Sequence, residues 1–308
     1  MRPPVGYAVR PANHQDFGAI EALFGAYDRW LLGFEDPSIE QLEDDFRTPG
    51  FDPARDTWYL TSGSDESLAG FVLYKDGEPG EEGSQGFGRV HPLHRGRGIG
   101  AFLIDAMLER WRASDEHQDR ILHWLTPGDP AADALFASRG YRLVRRECHL
   151  ERPLVNAPTP TAPDGLEIRA LRLGEERRLH AVNEEAFASH WGFRSSAFED
   201  WSAMLDVPGS DPERCWLAFD DDEPVGELIL SVQGGIGWIE VLGVRPAWRG
   251  RGIGRALLRT GFAELARRGC DAVRLGVDVG NETGALRLYE TEGMTVRRAW
   301  HVMENRLG

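Results

Sequence analysis

Val244-Arg-Pro-Ala-Trp-Arg-Gly-Arg-Gly-Ile-Gly254 runs from the end of an apolar segment into the first turn of an amphipathic one, and reads as a strand, a tight glycine loop and a helix start. Glycines at 250, 252 and 254 let the backbone adopt positive φ and remove the side chains that would hold a ligand away from the amides. The free N–H groups of the following helix, reinforced by its dipole, favour an anion such as a pyrophosphate. Arg249 and Arg251 add positive charge at the same place. Val90-His-Pro-Leu-His-Arg-Gly-Arg-Gly-Ile-Gly100 repeats the stretch at a constant offset of 154 (254 − 100), which points to a duplicated domain.

The pattern V-x-P-x-x-R-G-R-G-I-G, strand before and helix after, resembles the signature of the GNAT acyltransferase superfamily. The resemblance extends over nearly the whole chain as two tandem modules, an arrangement similar to the mycothiol synthase group of actinobacterial tandem acetyltransferases. It implies an α/β fold in which each module is a mixed, mostly antiparallel sheet flanked by helices on both faces. It also implies acetyl-CoA as the cofactor. In the second module the contacts would fall to Leu242, Gly243, Val244, Arg249, Gly250, Arg251, Gly252, Ile253, Gly254 and Asn281; in the first they would fall to Val90, Arg95, Gly96, Arg97, Gly98, Ile99 and Gly100. In that family the strand at 242–244 splays from its neighbour and lies along the pantetheine arm, leaving amides to polarise the thioester carbonyl.

A chain of 308 residues is long enough for two domains, each with its own core. The boundaries read as a module at 1–152, a Pro-rich linker at 153–164 and a module at 165–308. With 35 basic against 50 acidic residues the net charge is −15, which disfavours nucleic acid or an anionic membrane as partner and is compatible with a cationic amine. Cys148, Cys215 and Cys270 are odd in number and scattered, arguing for reduced thiols and against a disulfide framework or a zinc site. No apolar run approaches a membrane span and the first residues lack a signal-peptide core, so the expectation is a cytoplasmic monomer or homodimer.

Periodicity predicts the same element order in both halves. The first has strands at 7–10, 57–61 and 69–74, a short strand into the glycine loop, strands at 121–125 and 141–150, and helices at 16–32, 38–46, 101–112 and 131–139; Ser38 stands as the cap of the second helix. The second half has strands at 166–170, 215–219, 225–232, 237–244, 273–279 and 295–303 and helices at 175–188, 197–205, 253–267 and 283–292.

The halves differ where chemistry would sit. Anchored on Gly293 and Gly140, Tyr289 corresponds to Phe136 and Asn281 to Gly128 at an offset of 153 (293 − 140). The resemblance implies that the tyrosine protonates the departing CoA thiolate and that the asparagine contacts the cofactor; phenylalanine has no proton to give. An amine nucleophile must also lose a proton. Glu240, at even spacing from Leu242 and Val244, is the candidate base, directly or through water, with Glu227 on the neighbouring strand as its rival. Position 86, which matches Glu240 at the offset of 154, is glycine. His190 and Trp191 lie where GNAT modules admit the acceptor, and Glu227 joins them as a substrate contact. These readings give an N-acetyltransferase acting by direct attack of a primary amine, catalytic in its second half and degenerate in its first. Acetylation of a cysteinyl amine in the manner of mycothiol synthase, and a noncatalytic acetyl-CoA sensor, are the alternatives. A dinucleotide-binding oxidoreductase fails because several strands precede the loop and no ribose-binding acid follows at the right place.

Overall fold

The computed structural model describes residues 1–35, 40–48, 50–77, 83–114, 119–191, 193–205, 214–281 and 283–306. Ser38 lies outside the described residues. In chain order the elements are β1 (Tyr7–Arg10), α1 (Phe17–Leu32), α2 (Glu40–Asp45), α3 (Pro53–Asp56), β2 (Thr57–Ser62), β3 (Leu68–Lys75), β4 (Ser84–Val90), α4 (Ile99–Arg112), β5 (Arg120–Leu125), α5 (Pro130–Ala137) and β6 (Arg142–Pro153). They continue with β7 (Leu166–Ala170), α6 (Glu176–Phe187), α7 (Phe198–Leu205), β8 (Cys215–Asp220), β9 (Glu223–Gln233), β10 (Ile236–Val244), α8 (Ile253–Arg267), β11 (Ala272–Asp278), α9 (Ala285–Thr291) and β12 (Thr295–Arg306). Among the described residues no helix is long and apolar enough to cross a membrane.

Two compact units form, one from residues 1–146 with 300 onward, the other from 147–299. In the first, β1, β2, β3 and β4 are antiparallel neighbours, β5 runs parallel to β4, and residues 301–306 of β12 close the sheet against β5. In the second, β7, β8, β9 and β10 are antiparallel neighbours, β11 runs parallel to β10, and residues 147–153 of β6 pair with β11. The strand that closes each unit therefore comes from the other half of the sequence, and the boundary expected at residue 152 follows the chain where the packing does not. Glu151 on β6 stands opposite Arg274 and is bonded by it at 2.7 Å, whereas Glu304 on β12 stands opposite Leu122 and is bonded by Arg120, two residues away, at 3.4 Å.

Each sheet carries a core on either face. In the second unit α8 buries Ile253, Leu257, Leu258, Phe262 and Leu265 against Leu228, Leu230 and Ile239, while α6 and α7 bury Leu179, Val182 and Trp201 against Leu217 and Phe219. In the first, α4 buries Ile99, Leu103, Met107 and Trp111, and α1 buries Ile20 and Leu23 on the opposite face. Cys148, Cys215 and Cys270 are free and buried.

A chain ending at Ala299 would lose the six register pairs between β12 and β5, together with buried Val302 and Met303. Each such side chain contributes about 1.5–3 kcal/mol, against roughly 5–15 kcal/mol for a whole domain. We expect that chain to keep one cooperative unfolding transition, that of the second unit, and to be cut readily by protease within residues 1–146. Two intact transitions would show that the first unit does not need its borrowed strand.

Candidate active site

In both units the glycine loop leads straight into a helix. Gly250 and Gly252 have φ of 77° and 85°, and Gly252 is the N-cap of α8 with no side-chain cap; Gly96 and Gly98, at 73° and 82°, do the same for α4. The first amides of each helix are thus left to a ligand, which is what an anion site requires. Arg249 donates to the carbonyls of Val244 (3.1 Å) and Ala186 (2.7 Å), and Arg251 to Asp220 (2.9 Å). Both guanidiniums are turned toward protein acceptors, so binding an anion falls to the amides more than to the charge expected from these side chains. Leu288 lies 3.4 Å from a Cβ placed on Gly254, and Leu135 lies 2.9 Å from one placed on Gly100. That match confirms the pairing of the two last helices by sequence position.

The parallel strands beside each loop part almost at once. β10 meets β11 only at Gly237–Val273 and Trp238–Arg274, and β4 meets β5 only from Ser84 to Gly86. Leu242, Gly243 and Val244 therefore pair with β9 alone and present their other edge to the opening. Leu242 and Val244 turn toward Gly254, each 3.8 Å from its built Cβ, which brings the strand and the loop to one place. Positive-φ glycines, an uncapped helix and a splayed strand form a cradle that fits a CoA pyrophosphate and its pantetheine arm.

Glu240 does not stand where its spacing put it. The register of β10 against β9 shifts between Ile239 and Val241, making Glu240 the extra residue of a bulge. Ile239 packs toward α8, while Glu240 is exposed and bonded by Ser231, the partner of Trp238, on the opposite face from Leu242 and Val244. β4 has no such shift, and Gly86, whose built Cβ would strike Met107 of α4, corresponds to Ile239. Glu240 thus has no counterpart in the first unit, and the match with position 86 is corrected.

Glu227 is completely buried (0 % exposed). Asn183 of α6 donates to its Oε1 at 3.0 Å, and Oε2 has no partner. Burial pushes the carboxyl up to about 8, offset only partly by that hydrogen bond. It lies across from Gly243, and a Cβ there would be 2.8 Å from Oε1 and 3.0 Å from Ala186. Asn183 carried no signal in the sequence, because the helices before the loops do not repeat at the offset that aligns the loops.

Tyr289 is buried in the α8 core, and burial pushes its pKa up to about 12, which keeps the proton in place at neutral pH. Asn281 accepts from the amide of Thr283 at 2.9 Å and so shapes the turn before α9. His190 sits one turn past the end of α6, its amide bonded to Phe187 at 2.7 Å, and Trp191 is half-buried beside it.

The first unit keeps the cradle and fills the rest. A cavity of about 420 Å³ runs from Arg95, Gly96, Gly98 and Gly100 to His123 and Phe136. Where the second unit has Gly243 and Glu227, the same cross-strand pair is Arg89 and Phe71. Arg89 is buried, with its guanidinium 5.4 Å from the ring of Phe24 and 5.2 Å from that of Tyr27. His123, which pairs with Met303, is held neutral by burial and by Arg89, its pKa pushed down to about 3. Arg95 is locked to Asp129 by two 2.6 Å bonds.

The profile of the Acetyltransferase (GNAT) family matches residues 18–141 and 177–294. The chain is 36% identical over 282 residues to a mycothiol acetyltransferase of Thermomonospora curvata, covering 85% of this chain and 92% of that one. It is 32% identical over 307 residues to the mycothiol acetyltransferase of Catenulispora acidiphila, covering 94% and 96%. Among solved structures, a GCN5-related N-acetyltransferase from Sphaerobacter thermophilus superposes with a TM-score of 0.86 at 30% identity, covering 100% of this chain and 98% of the other. A tandem GNAT protein from the clavulanic acid biosynthesis pathway shares the fold, with a TM-score of 0.68 at 15% identity over 98% and 99% of the two chains.

Gly252→Val puts a β-branched residue at φ of 85° and fills the space over the loop amides. By calorimetry on the variant, CoA affinity at the second unit is expected to fall by at least about 100-fold. Wild-type affinity at that site would separate the loop from cofactor binding.

Proposed function

The chain belongs to the Acetyltransferase (GNAT) family, and from that premise we propose that its second unit carries the chemistry while its first is a noncatalytic module. The protein is an acetyl-CoA-dependent N-acetyltransferase. Acetyl-CoA supplies an activated acyl carbon on a good leaving group. The protein holds it, brings an amine to it and moves two protons. In the proposed arrangement the loop amides of 250–254 grip the pyrophosphate, and the open edge of β10 guides the arm toward α9. Tyr289 then gives its hydroxyl proton to the departing sulfur. Transfer is direct, from a complex holding both substrates.

The observation that carries this reading is the difference between two otherwise equivalent cradles. The second unit has Tyr289, Glu227 and Gly243; the first has Phe136, Phe71 and Arg89 at the equivalent places. With phenylalanines in place of Tyr289 and Glu227 and a buried guanidinium in the space left by a glycine, the first unit lacks the proton-transfer groups that the second unit holds at these positions. Its intact loop and cavity suit CoA as a structural ligand. The acceptor is a primary amine of a small molecule or aminoacyl compound, and the relatives named mycothiol acetyltransferase favour the cysteinyl class within it. The acidic balance, a net charge of −15, accords with a soluble protein that meets its acceptor in the cytoplasm as a monomer or homodimer.

Tyr289→Phe is expected to lower kcat by about 10- to 1,000-fold with acetyl-CoA affinity kept, as for loss of a general acid. Thiol release with a panel of amines measures the first and calorimetry the second; unchanged turnover would take Tyr289 out of the mechanism. Combining Gly252→Val with Tyr289→Phe should abolish turnover and leave one CoA bound in the first unit, a ligand that stabilises it by about 2.7 kcal/mol at 100 times its dissociation constant. Sustained acetyl transfer by that double variant would reverse the roles of the two units.

A further inference from the structure

Glu227 is an expensive residue to keep. A carboxyl with no exposed surface, one hydrogen bond and one unpartnered oxygen is costly relative to an apolar side chain of its size, and among the described residues nothing pairs with it as a counter-ion. Its surroundings are built to admit it. Gly243 is the only residue type that leaves room for Oε1, since a Cβ there would come within 2.8 Å, and the same strand edge is unpaired where β10 leaves β11. The carboxyl is thus one strand's width from the opening that receives the thioester, on the α6 side.

We propose that Glu227 takes the proton of the attacking amine, directly or through one water, and that Asn183 is its positioning residue. The inference rests on the acetyl-transfer reading above. As the nitrogen–carbon bond forms and the carbon–sulfur bond breaks, the amine's proton passes to Glu227 and Tyr289 protonates the sulfur; one proton exchanged through solvent returns both residues to their starting states. A carboxyl tuned to about 8 is matched to an amine near neutral pH far better than an ordinary glutamate.

The charged groups on the surrounding elements are engaged elsewhere. On α6, His180 lies 3.5 Å from Glu184, Glu184 accepts from Ser195 and the amide of Ser196, and Glu185 lies 3.3 Å from Arg245. Asp220 at the end of β8 holds Trp248 and Arg251, Glu223 at the start of β9 holds Arg245, and Glu240 of β10 holds Ser231. Arg249 is occupied by the carbonyls of Val244 and Ala186. What faces Glu227 directly is Leu217 from β8, Gly243 from β10, and Asn183 and Ala186 from α6.

The test measures thiol release from acetyl-CoA with L-alaninamide, cadaverine and glucosamine as amines across about pH 6 to 10, on wild type, Glu227→Gln, Glu240→Gln and Asn183→Ala. For wild type, kcat/KM should rise with pH through about 8. Glu227→Gln should lose that limb and about 100-fold or more in kcat while binding acetyl-CoA as wild type does. Asn183→Ala should move the limb to higher pH, because its hydrogen bond lowers the carboxyl's pKa; a merely structural role would leave the limb in place. Folding gives a readout free of the acceptor. A carboxyl raised from 4.5 to about 8 keeps its proton in the native state after the unfolded chain has lost it, so wild type loses stability as pH rises through that window. Thermal unfolding of Glu227→Gln should lack that dependence. A Glu227→Gln enzyme with wild-type turnover and limb, or a limb removed by Glu240→Gln instead, overturns the assignment and leaves the acetyl-transfer reading standing. Wild type that binds acetyl-CoA but releases no thiol with any of the amines overturns the reading and the assignment together.

Discussion

In each unit a parallel strand pair opens after two or three residues, and this local failure of pairing is the constraint on which the site depends. Backbone groups inside a sheet are ordinarily consumed by the ladder. Where β10 leaves β11 beyond Trp238, they become available to a ligand, and the glycine loop that follows delivers a helix N-terminus to the same opening. One edge of β10 stays tied to β9 throughout, so the strand remains rigid while its other edge is free. A bulge at Glu240 lies within this tied segment, and it resets which residues of β10 face α8 and which face α6.

The same backbone scaffold supports two different interiors because the diverging side chains are core positions that each unit packs in its own way, Phe71 and Phe136 in the first and Tyr289 in the second. Gly243 and Arg89 occupy one position, as do Glu227 and Phe71 across the ladder. In the first unit the space is packed by an arginine whose guanidinium lies 5.2 to 5.4 Å from the rings of Phe24, Tyr27 and Phe87. In the second it holds a carboxyl that lowers stability near neutral pH. Keeping a destabilising group at one of two equivalent positions is the pattern expected when strain is retained for chemistry.

The exchange of closing strands makes each unit depend on both halves of the chain. Glu151 of β6 meets Arg274 of β11 directly across the ladder, whereas Glu304 of β12 reaches Arg120 of β5 diagonally. Exchange ties the integrity of the first unit to the second half of the sequence.

The sequence by itself determined the duplication, the element order, the glycine loops and the contrast between Tyr289 and Phe136, because all of these are local patterns or matches at a fixed offset. The strand boundaries fell within a few residues, since alternation and turn residues are read over short spans. Only the tertiary structure decided which strand closes which sheet, because those pairings join residues more than 100 positions apart. It also decided the face of Glu240, since a bulge inverts the parity on which the even-spacing argument rested. The isolation of Glu227 was invisible for the same reason. A glutamate flanked by Gly226 and Leu228 reads as an ordinary strand residue until α6 covers it, Asn183 reaches it and Gly243 makes room for it.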